Sequence, residues 1–71
     1  MIVFNHVKSH RMQKGWTQAE LAEKLNVSRQ TVIAIEKGGY EPSLKLSLLI
    51  SKCFGESVET LFNLGFKEND S

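Results

Sequence analysis

A chain of 71 residues makes one small domain, and at this size roughly 60 % of the unfolded chain's surface is buried on folding. Hydrophobic residues at 41 % and charged residues at 24 %, with a single proline, describe a globular chain and exclude a disordered or collagen-like one. Net charge is +1, the lone cysteine (Cys53) excludes an internal disulfide and a CxxC site, and no apolar run approaches the ~20 residues of a membrane span.

Asn5 is placed to cap a first helix over His6 to Lys14, and Gly15 stops it in a left-handed turn. Thr17-Gln18-Ala19-Glu20 is a capping box, in which Thr17 and Glu20 each satisfy one amide left free at a helix start. The helix it opens buries Leu21, Ala22 and Leu25 and leaves Glu20, Glu23 and Lys24 outside. Asn26 ends it, because asparagine tolerates the left-handed backbone of a tight turn. Ser28 caps a third helix, Arg29 to Lys37, with Val32 and Ile35 inward and Gly38-Gly39 closing it. Glu41-Pro42-Ser43 turns into a fourth helix that runs to Phe54 and stops at Gly55, and Ser57 to Phe62 makes a short fifth. At the ends, Ile2-Val3-Phe4 and Leu64-Gly65-Phe66 are apolar and too short to stand alone as strands. They are expected to be ordered and extended, paired with each other or with a second subunit.

Residues 18–37 are a helix, a tight turn and a second helix whose contact points have the required residue types. Ala22 is small where the second helix crosses, Asn26 suits the turn, and Val32 and Ile35 are apolar where the second helix sits on the first. The charges are compatible with this. Residues 1–40 carry six basic and three acidic side chains, residues 41–71 three basic and five acidic, a split that fits either an N-terminal half facing a polyanion or ordinary surface variation.

The run from Trp16 to Gly38, followed by Tyr40-Glu41-Pro42-Ser43-Leu44 and by Phe54 to Phe62, resembles the lambda-repressor-like, or Xre, family of prokaryotic helix-turn-helix regulators. The resemblance spans residues 6–62 and implies an all-α, five-helix bundle that binds operator DNA as a two-fold dimer. Residues 1–71 would form that single domain, with the recognition helix at about 29–37 and short extended segments at the termini. Departures from the pattern are local: Asn26 stands for the usual glycine, His10 for leucine, Ser47 and Ser51 for alanine, and Leu49 for a polar residue.

The recognition helix is expected to enter the major groove N-terminus first, with Arg29, Gln30 and Ile33 outward. Arginine pairs bidentately with guanine, glutamine with adenine, and an exposed apolar side chain meets a thymine methyl. The resemblance implies phosphate contacts from Gln18, Ser28, Thr31, Lys37 and Tyr40, and a structural ion pair between Arg11 and Glu36 that ties the first helix to the third. Leu46, Leu49 and Cys53 on the fourth helix, with Phe62, Leu64 and Phe66, are expected to form the homodimer seam; in the plainer reading they complete a small core.

His6 and His10 stand four apart, but no third ligand follows, so neither a metal nor a cofactor is expected. With no glycine-rich phosphate loop and no nucleophile set, the chain does not read as an enzyme. Double-stranded DNA and a second copy are the expected partners, with RNA polymerase a further one through Glu23. The rival reading is a protein-interaction module, such as the antitoxin half of a toxin–antitoxin pair. Met1 to Asn5 is too short for a secretion signal, so a cytoplasmic location is expected.

Overall fold

The computed structural model describes residues 2–38 and 40–65. In chain order these form β1 (Ile2–Asn5), α1 (Val7–Gln13), α2 (Gln18–Leu25), α3 (Arg29–Lys37), α4 (Leu44–Phe54), α5 (Val58–Leu61) and β2 (Phe62–Gly65). Four helices start at a hydroxyl. Thr17, Ser28, Ser43 and Ser57 accept from the backbone amides of Glu20, Thr31, Leu46 and Thr60. At α2 the capping box is complete, since Glu20 Oε1 also accepts from the Thr17 amide at 2.8 Å. Helices α2, α3 and α4 end on a left-handed residue: Asn26 has φ 58°, Gly38 φ 83° and Gly55 φ 70°.

Helix α1 begins at Val7 rather than His6, because Asn5 belongs to β1. Asn5 still serves the helix start, its Oδ1 accepting from the Val7 amide at 3.2 Å. Helix α5 is shorter than expected, since the chain is already extended at Phe62 and continues as β2.

The two ends pair with each other. β1 and β2 run antiparallel in the register Ile2↔Gly65, Val3↔Leu64, Phe4↔Asn63 and Asn5↔Phe62. The fold is therefore mostly helical with a two-stranded sheet, so "all-α" is only approximate. Gly39 and Phe66 lie outside the described residues.

The core draws on every helix: Val7 from α1, Leu21, Ala22 and Leu25 from α2, Val32 and Ile35 from α3, Leu46, Ile50 and Phe54 from α4, and Leu61 from α5. Trp16 closes it on one side, stacked on Phe54 with centroids 5.6 Å apart, while Lys24 Nζ lies 4.6 Å from the Trp16 ring centroid. His10 packs its ring 5.9 Å from Phe54. Among the described residues no helix is long and apolar enough to cross a membrane.

Candidate functional site

Between α2 and α3 the chain turns through Asn26, Val27 and Ser28. The left-handed Asn26 brings the Val27 amide back onto the Ala22 carbonyl at 3.0 Å, and Ala22 is buried. Val32 and Ile35 are fully buried, which fixes how α3 is rotated. At 100° per residue the crest facing away from them carries Gln30 and Lys37, with Arg29 and Ile33 on one flank. Arg29, Gln30 and Lys37 are exposed. Ile33 is half-buried, as expected of a flank position, and does not belong to the half-buried set packed on the core (Trp16, Val27, Cys53 and Phe62). One apolar side chain thus stands beside two exposed hydrogen-bonding ones on the first two turns of α3.

The far end of α3 is gripped from three other elements. Arg11 Nε donates to Glu36 Oε2 at 2.7 Å and Nη2 to Oε1 at 3.3 Å, while Nη1 donates to the Trp16 carbonyl at 2.7 Å. The pair is well shielded, with side chains 11 % and 4 % exposed for Arg11 and Glu36. Gln18 Nε2 donates to Glu36 Oε1 at 3.1 Å. From β1, Asn5 Nδ2 donates to the Ile35 carbonyl at 2.9 Å. Neither the Gln18–Glu36 nor the Asn5–Ile35 bond has a signal in the sequence, because neither is set by a helical or strand repeat.

Arg11, Thr17, Gln18, Ala19 and Arg29 line one shallow depression beside the start of α2. Gln18 and Arg29 are thereby brought to one surface with the free amides of a helix N-terminus, a setting that favours an anion. Ser28 and Thr31 are committed first to each other, with hydroxyls 2.9 Å apart and the Thr31 amide donating to Ser28 Oγ. Tyr40 is exposed in the segment between α3 and α4, and Glu23 is exposed on α2. At the α2 start the Thr17 backbone amide, then its side chain, hold the Glu20 carboxyl below its ordinary pKa.

Helix α4 differs from expectation. Leu46 is only 8 % exposed and belongs to the core, because Leu46, Ile50 and Phe54 follow at one-turn spacing and define the inward face. Cys53 and Phe62 are half-buried and pack on that core, each leaving part of its side chain at the surface. Burial pushes the Cys53 thiol pKa up. Leu49, at 41 %, is exposed as expected, and beside it α4 exposes Leu44 at 75 % and Leu48 at 54 %, an apolar strip framed by Lys45 and Lys52. Leu64 is exposed on β2, and Phe66 lies outside the described residues.

Each histidine is taken up by the protein. His6 Nε2 lies 3.0 Å from Asn63 Oδ1, and His10 Nδ1 lies 2.8 Å from the His6 carbonyl. Among the described residues no group of three or more His, Cys, Asp or Glu side chains is placed to hold a metal ion.

Comparison with known proteins agrees with this geometry. A family described as helix-turn-helix matches residues 7–61. An uncharacterised HTH-type transcriptional regulator of Methanocaldococcus jannaschii is 55 % identical over 58 residues, which cover 82 % of this chain and 88 % of that protein. The immunity repressor protein of Bacillus phage phi105 is 34 % identical over 61 residues, covering 86 % of this chain and 42 % of the repressor. A crystal structure from Bacteroides fragilis shares the fold, with a TM-score of 0.78 at 22 % identity over 87 % of this chain and 100 % of that one.

Proposed function

Because the chain belongs to the lambda-repressor-like helix-turn-helix family of DNA-binding transcriptional regulators, we propose that it is a repressor that binds a palindromic operator as a homodimer. The observation that carries this is the rotation of α3: burial of Val32 and Ile35 leaves Arg29 and Gln30 exposed on its first turn. In the major groove these two side chains and Ile33 read base edges, each good bidentate contact adding ~1–3 kcal/mol of discrimination. Gln18, Ser28, Thr31, Lys37 and Tyr40 contact phosphates, which set register without reading sequence.

A second copy docks on the exposed strip of Leu44, Leu48 and Leu49, with Leu64 as an outlying contact. Half-sites then lie about one helical turn apart, ~34–36 Å. Bound over a promoter, the dimer excludes polymerase, and the phage relative named as an immunity repressor supports that sign of control. Exposed Glu23 is a candidate contact for RNA polymerase should the operator lie upstream of the promoter.

The same strip favours one second reading, a module that docks a protein partner such as the toxin of a toxin–antitoxin pair. Fluorescence anisotropy separates the two, using DNA from upstream of the protein's own gene, a scrambled duplex and two salt concentrations. Preference for the native duplex, weakening as salt rises through counterion release, is expected of the regulator. No binding at either salt refutes it in favour of the partner module.

A further inference from the structure

Glu36 is spent on more than an ion pair. Its Oε1 accepts from Gln18 Nε2 at 3.1 Å, while Arg11 holds both carboxylate oxygens and is itself anchored on the Trp16 carbonyl. With its side chain 4 % exposed, Glu36 has almost no freedom to leave this arrangement. We propose that Glu36 is a positioning residue for DNA binding, one that orients the Gln18 amide so that its second N–H is presented to a phosphate oxygen.

The reason is the chemistry of the amide. A glutamine side chain carries two N–H donors on one side and a carbonyl acceptor on the other, and rotation about its last bond exchanges them. Only the donor side can bind a phosphate; the carbonyl side repels it. An ionised carboxylate accepts and cannot donate, so Glu36 admits only the nitrogen of Gln18. One N–H is used on Glu36, and the other remains on the depression that Gln18 shares with Arg29. Since Glu36 lies on α3, the phosphate contact at the start of α2 and the seating of the recognition helix are linked through one carboxylate.

This rests on the reading of the chain as a DNA-binding regulator, and the test keeps the two apart. A phosphate contact is blind to sequence, so a mixed-sequence duplex at low salt serves as probe. In ¹⁵N-labelled wild-type protein, the Gln18 side-chain proton that faces Glu36 is expected to be shifted downfield and protected from exchange before any DNA is added. On adding duplex, its partner proton should be the one that shifts. Two Gln18 protons at free-amide positions, or a pair unmoved while the first-turn amides of α2 respond, would overturn the proposal without touching DNA binding itself. Failure of the wild type to bind any duplex overturns both.

Anisotropy on Gln18→Met, Glu36→Gln and the double variant gives a second, independent reading. Glu36→Gln should weaken binding about tenfold when Gln18 is present, the scale of one hydrogen bond to a charged group, and about twofold or less in the Gln18→Met background. Because Gln18 is uncharged, the salt slope should be the same in the wild type and in Gln18→Met. Equal losses in both backgrounds would make Glu36 merely structural. If Glu36→Gln fails to fold, the wild-type spectra decide alone.

Discussion

Replacing Arg11 with methionine tests how far the fold depends on the α1–α3 ion pair. The substitution keeps a long apolar stem but removes the donors that reach Glu36 and the Trp16 carbonyl. It leaves the Glu36 carboxylate, 4 % exposed, with only Gln18 as a partner. Removing one member of a buried pair costs about 3–5 kcal/mol, most of it the desolvation of the charge left behind. A domain of 71 residues is stable by roughly 4–10 kcal/mol, so about half of the margin is at stake. At about 4–8 °C per kcal/mol for this size, the thermal midpoint should fall by at least ~12 °C. The double variant Arg11→Met/Glu36→Met should recover much of that loss, because two packed apolar side chains replace a buried pair at little cost. Calorimetry or far-UV dichroism on the three proteins reads both effects. A fall under about 4 °C for Arg11→Met, or a double variant less stable than the single, would show that water reaches the pair and that its burial has been overrated.

The double substitution Arg29→Ala/Gln30→Ala should abolish preference for the operator over a scrambled duplex with almost no change in thermal midpoint, since both side chains are exposed; a large fall in midpoint would mean they support the fold. Leu48→Glu should turn a dimer into a monomer in sedimentation velocity while leaving the helical dichroism intact; a variant that stays dimeric places the seam elsewhere. The depressed Glu20 carboxyl ties the α2 start to pH. A group whose folded pKa lies below its unfolded value stabilises fully above the unfolded value near 4.5, and that contribution disappears as pH falls through the lower folded value. The wild type should therefore melt above Glu20→Gln at neutral pH, with the gap closing in acid below that value; a gap that is constant with pH would remove the carboxylate from the account.

Much of this fold can be read from single residues because its punctuation is local. A cap such as Thr17 or Ser43 acts on an amide three residues on, and Asn26 bends the chain where it stands, so neither depends on distant partners. Helix α4 resists such reading. Apolar residues at Leu44, Leu46, Leu48, Leu49 and Ile50 surround it, and periodicity alone does not choose the stripe that goes inside. Packing against the other helices chose Leu46, Ile50 and Phe54, which turned Leu48 outward and drew Cys53 toward the core. Contacts that join distant elements are legible only in part: the resemblance supplies Arg11–Glu36, and the apolar ends leave open pairing with each other or with a second subunit. The Gln18–Glu36 and Asn5–Ile35 bonds, and the choice of β2 as the partner of β1, exist only once the helices have brought those residues together.

The pairing of β1 with β2 has a consequence for how the chain is made. Asn5 and Phe62 are about 57 residues apart, so at about 5–20 residues per second the earlier strand is synthesised roughly 3–11 seconds before its mate. During that interval Val3 and Phe4 have no sheet to join, whereas α2 and α3 hold most of their mutual contacts within a short stretch of chain and can settle first. The Asn5 link to the Ile35 carbonyl can also form early, but the strand that carries it gains its ladder only after β2 has been made. Closure of this ribbon therefore follows the pairing of α2 with α3 in the order of synthesis.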